Sequence, residues 1–263
     1  MNNPFHCFLF LLALLAGCAT TEARLDKQLQ TEKNFFSGMN YLERRLLPQA
    51  REEFLAAIQL DPSVPKLHSA LGRVYLEENK PDLAEKEFKK TLDLDNQFLD
   101  AYIQLGTLYM GQKRFDEAIG SFKKLLSFAP QFPEFRAQNF IGWAYYEKGD
   151  YDQAFQSLRT AVISSPKYMP ARYNLGLALF ALGHEEEAAR EFNEAVKLSP
   201  GFSPAHNQLG LIYMKNKMYK EALSEFKEVI ASSPDENMKR MAGEYVKIIE
   251  GMQNSKPQSP NKK

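Results

Sequence analysis

Few side chains in this 263-residue sequence could support covalent or metal chemistry: two cysteines and four histidines. Cys7 and His6 lie in an N-terminal apolar segment, which leaves Cys18 as a solitary thiol and His68, His184 and His206 scattered along the chain. A lone cysteine forms no disulfide and cannot build a cysteine-ligated metal centre. His-Glu-x-x-His, a phosphate loop ending in Lys-Ser/Thr and a Gly-x-Ser-x-Gly elbow are all missing. The run Glu185 to Glu187 suggests cation binding at first sight, but it opens an amphipathic segment, where negative charge favours a helix N-terminus. Asp116-Glu117, Glu77-Glu78 and Asp150-Tyr151-Asp152 stand at similar turns and read the same way. The sequence therefore points away from an enzyme, and to no cofactor or metal.

What the chain has instead is a period. Gly38, Gly72, Gly106, Gly142, Gly176 and Gly210 recur at intervals of 34, 34, 36, 34 and 34 residues. With each glycine at position 8, the repeats are 31–64, 65–98, 99–132, 135–168, 169–202 and 203–236. Position 20 is then always alanine, from Ala50 to Ala222, and position 24 is Phe54, Phe88, Phe122, Leu158, Phe192 and Phe226. A small residue lets two helices approach while a large one four places on fills the space between them. Position 11 is tyrosine in all but Leu179, and position 32 is proline in all but Asn96, which stops the second helix.

These columns resemble the tetratricopeptide repeat. The resemblance implies an all-α, right-handed solenoid of six helical hairpins, in which each unit is stable only when stacked on its neighbours. Departures are local: Ser37 stands where leucine is usual, Asn96 replaces proline, and Pro133-Glu134 are inserted before the fourth unit, where the superhelical stagger is expected to change. Residues 237–252 carry Met238, Met241, Tyr245, Ile248 and Ile249 at helical spacing and read as a capping helix, and the polar residues 253–263 read as a disordered tail.

Phe8 to Leu15 is an apolar run too short to span a bilayer, followed by Leu15-Ala16-Gly17-Cys18. It fits a signal peptide over residues 1–17, although Met1 to His6 carries no Lys or Arg. The four residues resemble a bacterial lipobox, which implies lipidation of Cys18 and a short tether over residues 18–30. Ala19 after the cysteine implies, by lipoprotein sorting rules, anchoring on the periplasmic face of the outer membrane. The 33 basic and 33 acidic residues balance, so no basic stripe points to nucleic acid.

In tetratricopeptide proteins the first helix of each unit lines a concave surface. The resemblance implies a partner-binding groove formed by Phe35, Met39 and Leu42, by Lys66, Arg73 and Leu76, and by Asp100, Ile103 and Met110. It continues through Arg136, Asn139, Trp143 and Tyr146, then Tyr173, Leu177 and Phe180, and finally Asn207, Leu211 and Met214. Its apolar character suits an amphipathic helix or an extended segment of a protein partner, with Trp143 the leading hot spot. Position 9 can also pack against the neighbouring unit, so each of these side chains has a reading as ordinary core. The positions used by carboxylate-clamping relatives hold pairs such as Phe35/Met39 and Asn139/Trp143 in place of Lys and Asn.

The whole chain, with lipobox, tether, six units and a mid-array insertion, resembles the type IV pilus pilotin lipoproteins of the PilF, PilW and Tgl type, which help an outer-membrane secretin to localise and assemble. The alternative is a tetratricopeptide lipoprotein adaptor for cell-wall synthesis or hydrolysis, or for envelope polysaccharide export. Homodimerisation through the exposed first repeat is left open.

Overall fold

In the computed structural model the described residues are 4–128 and 131–254, with side chains described over 22–128 and 131–252. The expected signal peptide, Cys18 and tail fall outside the described side chains. The described residues form thirteen helices and no strand, as the repeat pattern requires. They group into two compact units: residues 1–112 with 127–129, and residues 113–126 with 130–263.

The first unit holds α1 (Pro4–Glu43), α2 (Leu47–Leu60), α3 (Pro65–Glu77), α4 (Pro81–Leu94) and α5 (Leu99–Gly111). Here α1 pairs with α2 and α3 with α4, while α2 packs on α3 and α4 on α5. In the second unit α6 (Phe115–Phe128), of which residues 115–126 belong here, precedes α7 (Glu134–Lys148), α8 (Tyr151–Ser164), α9 (Met169–Ala181), α10 (Glu185–Leu198), α11 (Ser203–Lys215), α12 (Tyr219–Ser232) and α13 (Glu236–Asn254). The hairpins are α7 with α8, α9 with α10 and α11 with α12. Each stacks on the next, and α13 covers α12.

Five hairpins close through a contact between position 8 of the first helix and position 24 of the second. There the glycine faces the large side chain at position 24 of its own repeat, a phenylalanine ring in four cases and Leu158 in the other. A methyl group added at Gly38, Gly72, Gly142, Gly176 or Gly210 would sit 2.5 to 2.7 Å from the nearest atom of Phe54, Phe88, Leu158, Phe192 or Phe226. No side chain fits there, so the two backbones meet at the thickness of the position-24 side chain. The alanines of position 20 and the residues of position 27, Ala57, Thr91, Leu125, Ala161, Ala195 and Val229, are fully buried beside it. Thr91 remains satisfied because its hydroxyl donates to the Glu87 carbonyl at 2.9 Å.

The turn inside each hairpin is also periodic. Position 15 is left-handed in all six repeats, at Arg45, Asn79, Lys113, Gly149, Gly183 and Lys217. Around Asn79, Lys80 N–H donates to the Tyr75 carbonyl at 2.8 Å and Asn79 N–H to Leu76 at 3.0 Å. That is the six-to-one and five-to-two pattern that ends a helix by satisfying its last carbonyls. The same pair of bonds recurs around Arg45, Gly149, Gly183 and Lys217.

Neighbouring repeats are tied by the side chain at position 4, which reaches the position-32 carbonyl of the preceding repeat. His68 Nε2 faces the Pro62 carbonyl at 3.1 Å, Tyr102 donates to Asn96 at 3.1 Å, Arg172 to Pro166 at 2.6 Å, and His206 faces Pro200 at 2.8 Å. Three of these side chains also hold the position-23 glutamate of their own hairpin: His68 to Glu87, Arg172 to Glu191 and His206 to Glu225, at 2.6 to 2.7 Å.

Ser37 belongs to a face that differs between the first repeat and the rest. Positions 3, 7 and 10 are buried in later units, as in Leu67, Leu71 and Val74, whereas in α1 they are Lys33, Ser37 and Asn40, exposed or half-buried. Polar residues suit a face that no hairpin covers in this structure.

Gly210→Ala is expected to destabilise the protein by about 1–3 kcal/mol through overpacking against Phe226. Gly243→Ala in α13, where an added methyl meets nothing within 4 Å, is expected to stabilise it by about 0.5–1 kcal/mol. Thermal unfolding of the two variants checks both signs.

Candidate functional site

The first helices of the repeats carry the candidate groove residues, and the two units present them differently. In the first unit Phe35 is half-buried, tilted against Phe54 at 6.1 Å between centroids, with Lys66 Nζ 4.6 Å over its face. Lys66 is itself held by Glu32 at 2.7 Å. Asp100 accepts from Ser69 Oγ at 3.4 Å. Met39, Leu76, Ile103 and Met110 are half-buried and Arg73 is exposed. On this wall Lys66 is matched by Glu32, whereas Arg73 stays exposed.

The second unit is aromatic. Trp143 stacks on Tyr146 at 5.3 Å with planes 16° apart, and Tyr146 leans on Tyr151 at 5.5 Å. Tyr173 is wedged between Phe192 at 5.7 Å and Phe202, which it meets edge-on at 5.0 Å. Phe180, Asn207, Leu211 and Met214 are half-buried. Arg136 is exposed, its guanidinium 6.0 Å from the Phe135 ring, and Phe135 meets Tyr168 edge-on at 4.9 Å.

Three residues expected in the groove lie in the core. Leu42 packs in the cluster of Phe54, Leu71 and Val74, and Leu177 in that of Leu175, Ala178 and Phe192. Asn139 is buried and accepts a hydrogen bond from Asn174 Nδ2 at 2.9 Å. A fixed offset along the helix misassigns them because these positions sit where the concave face rolls into the contact with the next hairpin. Tyr173 is partly in the same situation, as its two ring contacts show.

The histidines serve the scaffold. His68 and His206 are the inter-repeat ties described above, and His184 precedes α10 with Nδ1 3.3 Å from Glu187. Glu185, at the start of the acidic run, pairs with Lys215. Among the described residues no cluster of three or more His, Cys, Asp or Glu side chains could hold a metal ion. Sequence reasoning missed the position-4 ties because His, Tyr and Arg share no composition, only a place in the repeat.

Burial holds the phenols of Tyr146 and Tyr173 above their ordinary value of 10.0; for Tyr173 the neighbouring Tyr146 adds to the effect and a hydrogen bond with Gln208 opposes it. An unfolded chain loses these protons first. The stabilisation is therefore intact below the unfolded value and falls as pH rises through the folded one. Tyr173→Phe is expected to lose less thermal stability than the wild type from about pH 9 to about pH 11, measured by calorimetry across that range.

The comparisons with known proteins accord with this geometry. A tetratricopeptide-repeat family model matches residues 37–97, 141–203 and 173–237, and a second matches 75–138. No curated protein matches the sequence. Among solved structures, PilF of Pseudomonas aeruginosa superposes with a TM-score of 0.67 at 18% identity, covering 88% of this chain and all of that one. PilW, a widely conserved type IV pilus biogenesis factor, gives 0.68 at 18% identity over 80% of this chain and 97% of its own. YrrB, a tetratricopeptide protein with an unusual peptide-binding site, gives 0.55 at 22% identity over 73% and 97%. At these identities the likeness concerns the fold, but the family models cover more than half of the residues, and the chain belongs to the tetratricopeptide repeat family of protein-interaction scaffolds.

Proposed function

We propose that this protein is an outer-membrane lipoprotein, anchored through Cys18 on the periplasmic face, that holds an apolar segment of a secretin subunit as a type IV pilus pilotin does. The observation that carries the binding reading is the Trp143–Tyr146 stack, an aromatic pair on the first helix of its repeat that the hairpin interior does not fully absorb. Half-buried aromatic rings give large contact area at small entropic cost and are where binding energy concentrates. Phe180, Leu211 and Met214 extend the apolar surface along the following repeats. An apolar segment of an unassembled subunit, shielded there, is kept from aggregating. The pilus assignment is supported by the lipobox, the six-unit array and the likeness in fold to PilF and PilW over 88% and 80% of this chain.

Trp143→Ala/Tyr146→Ala is the informative variant, since Tyr173 is too enclosed to remove without disturbing Phe192 and Phe202. The double variant is expected to keep its helical circular dichroism and to lose most secretin in co-purification from solubilised envelopes. Undiminished secretin recovery with the folded variant removes the wall as the binding site. Separately, Cys18→Ser is expected to move most of the folded protein from the membrane to the soluble fraction, as followed by immunoblot after fractionation; outer-membrane retention of the variant together with an unacylated Cys18 in the wild type by mass spectrometry refutes lipid anchoring.

A further inference from the structure

The N-terminal part of α1 has a feature that partner binding at the repeats does not use. Residues 22–30 are exposed throughout, and within this stretch and just beyond it Leu25, Leu29 and Phe36 are 56%, 60% and 65% exposed. Their spacing of four and seven residues puts them on one stripe of the helix. Elsewhere on α1, Arg24, Lys27, Gln28, Thr31 and Glu32 line a concavity with Asp61 and Val64. The apolar stripe and this polar concavity share the helix, with the carboxylates of Glu22 and Glu32 bordering the stripe at helical spacing.

We propose that the Leu25, Leu29 and Phe36 stripe lies in the lipid interface of the membrane that carries the Cys18 anchor, making α1 a second, noncovalent membrane contact. This rests on the lipoprotein reading above. The length of chain before the stripe selects this occupant. Only three residues separate Cys18 from Glu22, four Cα steps or about 14 Å even if fully extended, so an acylated Cys18 holds the exposed stretch that leads into the stripe at the bilayer surface. Along the helix, Leu25 follows Cys18 by seven residues, about two turns or about 10 Å.

Three side chains are too few for the alternative of a second copy, because a stable dimer needs about 1,000 Å² of well-packed interface. A lipid surface requires no such area when the acyl chains already keep the helix there. An interfacial helix buries its apolar side about 5–10 Å into the headgroup and acyl boundary. Lys33, exposed beside the stripe, can extend its ammonium into the headgroups while its stem stays apolar.

The test uses the acylated full chain in vesicles of phosphatidylethanolamine and phosphatidylglycerol carrying a nitroxide lipid. Because the chain has one tryptophan, Trp143→Phe/Phe36→Trp leaves a single indole on the stripe, and Trp143→Phe/Leu29→Trp supplies a second probe if the first variant misfolds. Strong quenching of the indole by the nitroxide lipid is expected, and adding Leu25→Ser should weaken it. Vesicle-bound, acylated protein with an unquenched indole overturns the inference while leaving lipid anchoring intact. An indole shielded only in a species that sediments as a dimer assigns the stripe to a second copy and equally overturns it. Mature protein whose Cys18 carries no acyl group by mass spectrometry removes both readings.

Discussion

The structure depends on the meeting of a bare helix backbone with a large apolar side chain, a ring in all but one of the contacts seen. At Gly38, Gly72, Gly142, Gly176 and Gly210 the position-24 side chain lies against the backbone itself, and the second helix settles at that distance. The alanine at position 20 allows the approach and the residue at position 27 seals it. Every other assignment follows from this contact, because it decides which sides of the first helix are spent on its own hairpin and which remain.

What remains is shared between the next hairpin and the groove. Positions 3, 7 and 10 go to the neighbouring hairpin, and the residues bordering them inherit an intermediate status. Trp143 and Tyr146 keep part of their rings open while Leu177, at the same repeat position as Trp143, is enclosed. Size matters here: a tryptophan overreaches a site that a leucine fills. The first unit resolves the same geometry differently, with Lys66 spent on Glu32 and Phe35, and Asp100 on Ser69.

The architecture was legible in the sequence because packing at close range tolerates only a few residue types. Gly and Ala recur in all six repeats and Phe and Pro in five, and together they mark the hairpins and their register. The left-handed residue at position 15 was hidden, since only Gly149 and Gly183 advertise it, while Arg45, Asn79, Lys113 and Lys217 accept the conformation without a compositional mark. The groove was legible in part. Repeat position gives the direction of a side chain, but burial depends on the neighbouring side chains, which is why Leu42, Asn139 and Leu177 were placed on the wrong side of the boundary. Asn139 carried no warning, because its partner Asn174 belongs to the following repeat.

The position-4 ties also bear on how such an array comes apart. Each joins a carbonyl at the end of one hairpin to a donor on the next, and in three repeats the same donor grips its own second helix, so releasing a terminal hairpin cuts few bonds and leaves its neighbours clamped. Within a unit, loss of structure should therefore advance stepwise from an end, like a zip opening tooth by tooth. Since histidine, tyrosine and arginine all serve as teeth, this seam can drift in sequence without coming undone.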